Sequence, residues 1–174
     1  MDVSIRPASP DDAPGIAQVH TQSWRETYPG LMPGDFLSRM TSDAARQRRE
    51  ESWRTQRLTP DPGRPVLVAE LNGRIVAFAS GGPAPQHPGY DAELYTLYSL
   101  KEVQGHGIGK ALLHALAREL QTGGAKNMAL WVLDVNPTRH WYARQGASEA
   151  GEKQEGELRE IRMVWDDLSR LLVR

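Results

Sequence analysis

The chain has 174 residues, 39 % apolar and 25 % charged, and 21 lysines and arginines against 22 acids leave a formal net charge of −1. This composition fits one globular domain over 1–174 that buries roughly two-thirds of its unfolded surface without a disulfide or metal staple. Near-zero charge argues against a dedicated nucleic-acid binder, and the lack of cysteine excludes a disulfide framework, thiolate metal ligands and a protein thiol that carries an acyl group.

No stretch approaches the roughly 18 consecutive apolar residues of a membrane span. The start, Met1-Asp2-Val3-Ser4-Ile5-Arg6-Pro7, lacks the basic segment and apolar run of a secretory signal. A cytoplasmic protein with no membrane partner is expected.

In chain order, residues 3–6 read as a short strand. Ser9-Pro10-Asp11-Asp12 carries the marks of a helix start: a capping hydroxyl, proline in the first turn and acids at the positive end. Ile16, Val19, His20, Trp24 and Tyr28 keep a helical rhythm until Pro29-Gly30 stops it. A short helix is expected near Pro33, then a longer one over 43–58 with Arg46, Arg48, Arg49, Arg54 and Arg57 beside Glu50 and Glu51. Such a face either meets an acidic partner or, more commonly, is solvated and laced with i,i+4 pairs, with Trp53 as its core anchor. The prolines of residues 59–65 mark a loop. Residues 66–70 and 74–80 form strands around Asn72-Gly73, a strong hairpin signal. Residues 81–89 read as another proline-glycine loop, 92–100 as a strand with period two, and 108–121 as a helix ended by Gly123-Gly124. A strand over 127–133, a short helix over 137–145 and strands near 148–153 and 160–165 follow, with a polar tail after them.

The chemistry concentrates in Gln104-Gly105-His106-Gly107-Ile108-Gly109-Lys110, where a strand runs into a glycine turn that opens a helix. The glycines permit positive φ and a close backbone approach. Free N–H groups and the positive helix end then make an anion site suited to phosphate. A P-loop needs a hydroxyl after Gly109-Lys110, where Ala111 stands, and a dinucleotide fingerprint needs a different glycine spacing. A tight turn with no ligand, or a phosphate-ligand protein of another kind, fits these residues taken alone.

Gln104-x-x-Gly107-x-Gly109 resembles the Arg/Gln-x-x-Gly-x-Gly/Ala signature of the GNAT superfamily of acetyl-CoA-dependent N-acetyltransferases. The element order of the whole chain is similar too. Asn136 followed by Trp141-Tyr142-Ala143-Arg144-Gln145-Gly146-Ala147 resembles the family's Asn…(Phe/Trp)-Tyr-x-x-x-Gly-Phe pattern, with Ala147 in place of the usual Phe. The resemblance implies a mixed, mostly antiparallel α/β sheet of about seven strands flanked by about four helices, splayed between the fourth and fifth strands. It implies transfer of acetyl from acetyl-CoA to a small-molecule or peptide amine, with no metal. A non-catalytic acyl-CoA-binding module on the same fold is the alternative, and a homodimer is compatible with either.

Residue by residue, the resemblance implies that Gln104, Gly105, His106, Gly107, Ile108, Gly109 and Lys110 hold the coenzyme pyrophosphate. His106 reads equally well as a solvent-facing turn residue. Leu97 and Ser99 would offer a strand edge to the pantetheine arm, a form of strand addition. Asn136 contacts that arm or caps the next helix. Tyr142 matches the family tyrosine near the coenzyme sulfur, as a general acid; otherwise it is a packed aromatic. Glu93, eleven residues before Gln104, stands where some family members place a base, and otherwise it is a strand-end surface residue. Alternation puts Glu93, Tyr95, Leu97 and Ser99 on one face. Trp24, Tyr28 and Tyr95 are the acceptor-pocket candidates, with core packing the commoner role for Trp24.

Overall fold

The computed structural model describes residues 1–173. One sheet of seven strands has the order β1-β2-β3-β4-β5-β7-β6. Its members are β1 (Val3–Pro7), β2 (Val66–Leu71), β3 (Arg74–Pro83), β4 (Ala92–Ser99), β5 (Met128–Leu133), β6 (Ser148–Glu155) and β7 (Leu158–Trp165). Neighbours pair antiparallel except β4 and β5, which are parallel. The helices are α1 (Ala13–Thr27), α2 (Gly34–Met40), α3 (Asp43–Ser52), α4 (Ile108–Thr122), α5 (Thr138–Arg144) and α6 (Leu168–Leu172). This is the mixed, splayed sheet that the resemblance implies, with six helices among the described residues rather than about four. No helix among the described residues is long and apolar enough to cross a membrane.

The middle of β3 is buried on both faces, Val76 through Ala79 each at 0 % exposure. Phe78 meets His20 of α1 and Trp53, while Gly81 lies against Leu116 and Leu120 of α4. Helix α4 buries Ile108, Leu112, Leu113, Leu116, Ala117 and Leu120, one stripe of a 3.6-residue period. Each of its buried leucines contributes about 1.5–3 kcal/mol of burial free energy. A single helical turn over Pro10–Asp12 precedes α1. There the Ser9 amide donates to Asp12 Oδ2 at 2.8 Å, and Arg6 donates to both Asp12 oxygens at 2.8 and 2.9 Å, tying β1 to the helix start. Asn72 and Gly73 both take positive φ, +52° and +79°, as a tight hairpin with this twist requires.

Four expectations change. The loop expected from residue 81 begins later, because Gly81, Gly82 and Pro83 pair with Leu94, Glu93 and Ala92. The helix expected over 43–58 passes into a wider π-type turn at Trp53–Arg57. Its face is mixed: Arg46 and Arg54 pair with Glu50, whereas Arg49 reaches Thr21 and lies over the Trp24 ring. The polar tail contains α6, whose Leu168 and Leu171 are buried and whose start is capped by Asp167. Finally, β4 does not alternate throughout. Ser80 pairs with Thr96 but Gly81 pairs with Leu94, so Tyr95 is an extra, unpaired residue. Such a bulge shifts the side-chain phase by one. Glu93 therefore shares its face with Thr96 and Tyr98, and Leu97 and Ser99 turn to the other.

Candidate active site

Strands β4 and β5 pair at two positions only, Ala92 with Met128 and Glu93 with Ala129. Beyond them β4 stays with β3 as far as Ser99, and β5 stays with β7 as far as Leu133, so the two strands part. Parting leaves the β4 backbone over 94–99 without a partner strand on that edge. The gap is a cleft of about 220 Å³. Leu97, Ser99 and Gln104 wall one side, Val132, Asn136 and Tyr142 the other, and Trp24 of α1 and Tyr28 at its C-terminal cap complete the lining.

One end of the cleft meets the glycine turn. The Gln104 side-chain amide donates to Ser99 O at 3.2 Å, fixing the turn on the end of β4. Gly105 and Gly107 have φ of +81° and +79°. A left-handed backbone costs other residues roughly 1–2 kcal/mol, which is why glycine stands at both. The first bond of α4 runs from Ala111 N to Gly107 O at 3.0 Å. The amides of Ile108, Gly109 and Lys110 precede that bond and remain available at the positive helix end, a site for a phosphate. Gly109 faces Trp141 of α5, where a Cβ would make an ordinary contact at 3.6 Å. His106 is exposed; its Nδ1 is 3.0 Å from Gln104 O, and it borders a separate depression with Met1, Val3 and Ile5.

Tyr142 enters the cleft from α5, its ring edge-on to Trp141 and Trp165 at 5.2 and 6.1 Å. Burial, with Tyr98 and Tyr28 nearby, pushes its phenol well above the ordinary tyrosine value, so it stays protonated and able to donate. Asn136 does two jobs. Its Oδ1 accepts from the Thr138 amide at 2.9 Å at the start of α5, and its Nδ2 donates to the Tyr28 hydroxyl at 3.0 Å. Tyr28 is thereby a buried wall bracing α1 against the β5–α5 connection. Trp24 meets it edge-on at 5.0 Å and also faces the cleft. Tyr95 is partly exposed at the rim, and its hydroxyl donates to Pro83 O.

Glu93 stands where the strands begin to part. Burial pushes its carboxyl above the ordinary value, Lys153 opposes that and Glu160 adds to it. Sequence reasoning missed its neighbours. His87, at 1 % exposure, has Nε2 3.4 Å from Glu93 Oε1. Glu160 of β7 lines the cleft and pairs with Lys153 Nζ at 3.2 Å. Trp131 lines it too, under the cations of Arg162 and Lys153 at 4.4 and 4.7 Å from its ring centre. Alternation along residues 158–165 was the one available sign that Glu160 faces opposite to Ile161 and Met163; nothing local marked His87. No cluster among the described residues has the makings of a metal site.

An open strand edge, a helix start with free amides and a buried phenol thus meet at one cleft. A family model described as the acetyltransferase (GNAT) family matches residues 21–147. An uncharacterised N-acetyltransferase named YuaI from Bacillus subtilis (strain 168) is 34 % identical, over 97 % of this chain and 96 % of its own length. The PaiA N-acetyltransferase of Thermoplasma acidophilum, solved in complex with coenzyme A, superposes with a TM-score of 0.68 at 20 % identity, covering 95 % of this chain and 100 % of that one. The putative acetyltransferase yncA of Salmonella typhimurium, solved with acetyl-CoA, gives 0.67 at 23 % identity, covering 95 % and 94 %. The chain belongs to the GNAT acetyltransferase family, and its enzyme class is that of an acyltransferase.

Proposed function

We propose that this protein moves an acetyl group from acetyl-CoA to an amine acceptor by direct attack in a ternary complex. The acceptor is a small-molecule amine or a protein or peptide amino group. The observation that carries the reading is the parting of β4 and β5 into a cleft that ends on the glycine turn. In this reading the amides of Gly105 to Lys110 take the pyrophosphate, with Gln104 holding the turn in place. The free β4 edge at Leu97 and Ser99 pairs with the amide-bearing pantetheine arm, as an added strand does. Asn136 borders that arm from the other wall.

The chemistry needs a deprotonated amine, donors for the developing charge and help for the leaving thiolate. Glu93 takes the proton from the ammonium. Its desolvated carboxyl is a stronger base than one in water, which suits the task. The nitrogen attacks the thioester carbon, the tetrahedral adduct collapses, the carbon–sulfur bond breaks, and the second nitrogen proton passes to the departing sulfur, leaving the amide and the free coenzyme thiol. The Tyr142 hydroxyl meets the sulfur. A phenol is a weaker acid than a thiol, so Tyr142 stabilises the thiolate chiefly by a hydrogen bond in a dry site. With no cysteine in the chain, no acyl group passes through a protein thiol. Trp24 and Tyr95 supply apolar surface for the acceptor, and the Glu160 carboxylate, paired with Lys153, gives that wall a hydrogen-bond acceptor.

The test is thiol release from acetyl-CoA across a panel of amine classes, read with a thiol reagent against a cysteine-free background. Amine-dependent thiol release matched by acetylated product is the expected result. Coenzyme A at about a hundred times its dissociation constant should also stabilise the fold by about 2.7 kcal/mol. Binding with no turnover on any amine would overturn the enzymatic reading and leave an acyl-CoA-binding module.

A further inference from the structure

The loop between β3 and β4 holds a histidine that the acetyl-transfer reading does not use. The His87 side chain is 0 % exposed and is clamped from β7: Arg162 Nε donates to its Nδ1 at 2.9 Å, and Arg162 Nη2 donates to Gln86 O at 3.1 Å. The ring packs on Trp131 at 5.0 Å. A guanidinium only donates, so Nδ1 is the acceptor and the ring proton sits on Nε2. That nitrogen is buried and makes no hydrogen bond; the carboxylate facing it is Glu93, with Oε1 at 3.4 Å.

We propose that His87 is a positioning residue for Glu93: its Nε2–H, fixed in that tautomer by Arg162, orients the carboxylate and stabilises its ionised form. The proposal rests on Glu93 as the base. Burial, with Arg162 and Lys153 adding to it, lowers the histidine pKa to about 4, so the ring is neutral at working pH and acts as a dipole. This matters because the other groups facing Glu93 pull in opposite directions. Lys153 on β6 favours its charged form, Glu160 on β7 disfavours it, and Tyr95 on β4 lies close by. Lys153 itself is shared between Glu160 and Glu155 at 3.2 and 3.3 Å. In this proposal the 3.4 Å approach closes to a hydrogen bond when substrate binds, as contacts in catalytic sites often do.

Two variants separate the ring's two nitrogens. His87→Asn retains a polar atom near Nδ1 for Arg162 but falls short of Glu93. His87→Gln extends an amide N–H to the Nε2 position. Glu93 can be titrated directly by carbon NMR in the full chain labelled at the glutamate carboxyl carbon, its signal assigned by loss in Glu93→Gln. His87→Asn should raise the Glu93 midpoint by about one pH unit, and His87→Gln should hold it within a few tenths of a unit of wild type. A purely structural histidine would lower the melting temperature in both and leave the midpoint unmoved; that result, or an equal shift in both variants, overturns the proposal. The base assignment is judged separately, by turnover. If Glu93→Gln turns over like wild type, the base reading falls and the catalytic meaning of His87 falls with it. If turnover collapses but the midpoint ignores His87, only the positioning role is lost.

Discussion

Replacing Tyr142 by phenylalanine removes one oxygen from a ring that is 6 % exposed and held edge-on by Trp141 and Trp165. The ring contacts survive, so the fold should change in stability by no more than about 1 kcal/mol. The effect on rate should be much larger. A positioned acid or base contributes about 10²–10⁴-fold, and a hydrogen bond to the leaving sulfur, short of completed proton transfer, belongs at the low end. A loss of about 100-fold in kcat corresponds to about 2.7 kcal/mol of barrier. The assay is thiol release at saturating acetyl-CoA and acceptor, with coenzyme A affinity measured by calorimetry. Turnover should fall while affinity stays within about twofold, because the hydroxyl acts on charge that appears only in the transition state. The pH profile adds a second check. Burial holds the Tyr142 phenol above its ordinary value, so this residue should contribute no falling alkaline limb below about pH 10. A kcat within about threefold of wild type, or a loss of affinity equal to the loss of rate, would refute the role.

Three further outcomes follow from named contacts. Tyr28→Phe and Asn136→Ala each break the 3.0 Å bond across the cleft, and Asn136→Ala also removes the bond to the Thr138 amide. Urea unfolding of the double-mutant cycle should give a coupling of about 0.5–1.5 kcal/mol, and strict additivity would show that the bond carries nothing. Gly107→Ala forces a side chain onto a φ of +79° at the start of α4. It should cost roughly 1–2 kcal/mol and weaken coenzyme A, and unchanged affinity by calorimetry would take the turn out of the binding site. Asp12→Asn tests the clamp on β1. The Arg6 hydrogen bond, ahead of the Ser9 amide, holds the Asp12 carboxyl below the ordinary range. The folded value thus lies below the unfolded one, and the stabilisation is present above the unfolded value of about 3.9 and is lost as pH falls through the folded value. The variant should lose about 1–2 kcal/mol at neutral pH and progressively less in acid, whereas equal losses at both would contradict the clamp.

The local parts of the site were legible because their causes are local. Gly105 and Gly107 announce positive φ, and Asn72-Gly73 announces its hairpin. The stripe from Ile108 to Leu120 announces a helix with one buried face. Tyr142 and Asn136 stood out by their spacing to the signature, not by anything in their immediate neighbours. The face of Glu93 was misread, because the bulge at Tyr95 exists only in the pairing of β4 with β3. Leu168 and Leu171 looked like a tail until the body of the fold gave them a surface to bury against.

From the sequence alone came the α/β order of elements, the glycine turn that opens a helix and the absence of any protein thiol. These depend on backbone propensity, hydrophobic period and composition, which a single strand or helix displays by itself. Tertiary structure alone decided that Glu160 is the carboxylate lining the cleft and that His87 stands behind Glu93. Arg162 on β7 lies 75 positions from His87 and 69 from Glu93 along the chain, and they meet because the β3–β4 loop carries His87 over Trp131 of β5. Charges that close set one another's protonation through space, and no pattern along the chain records that distance.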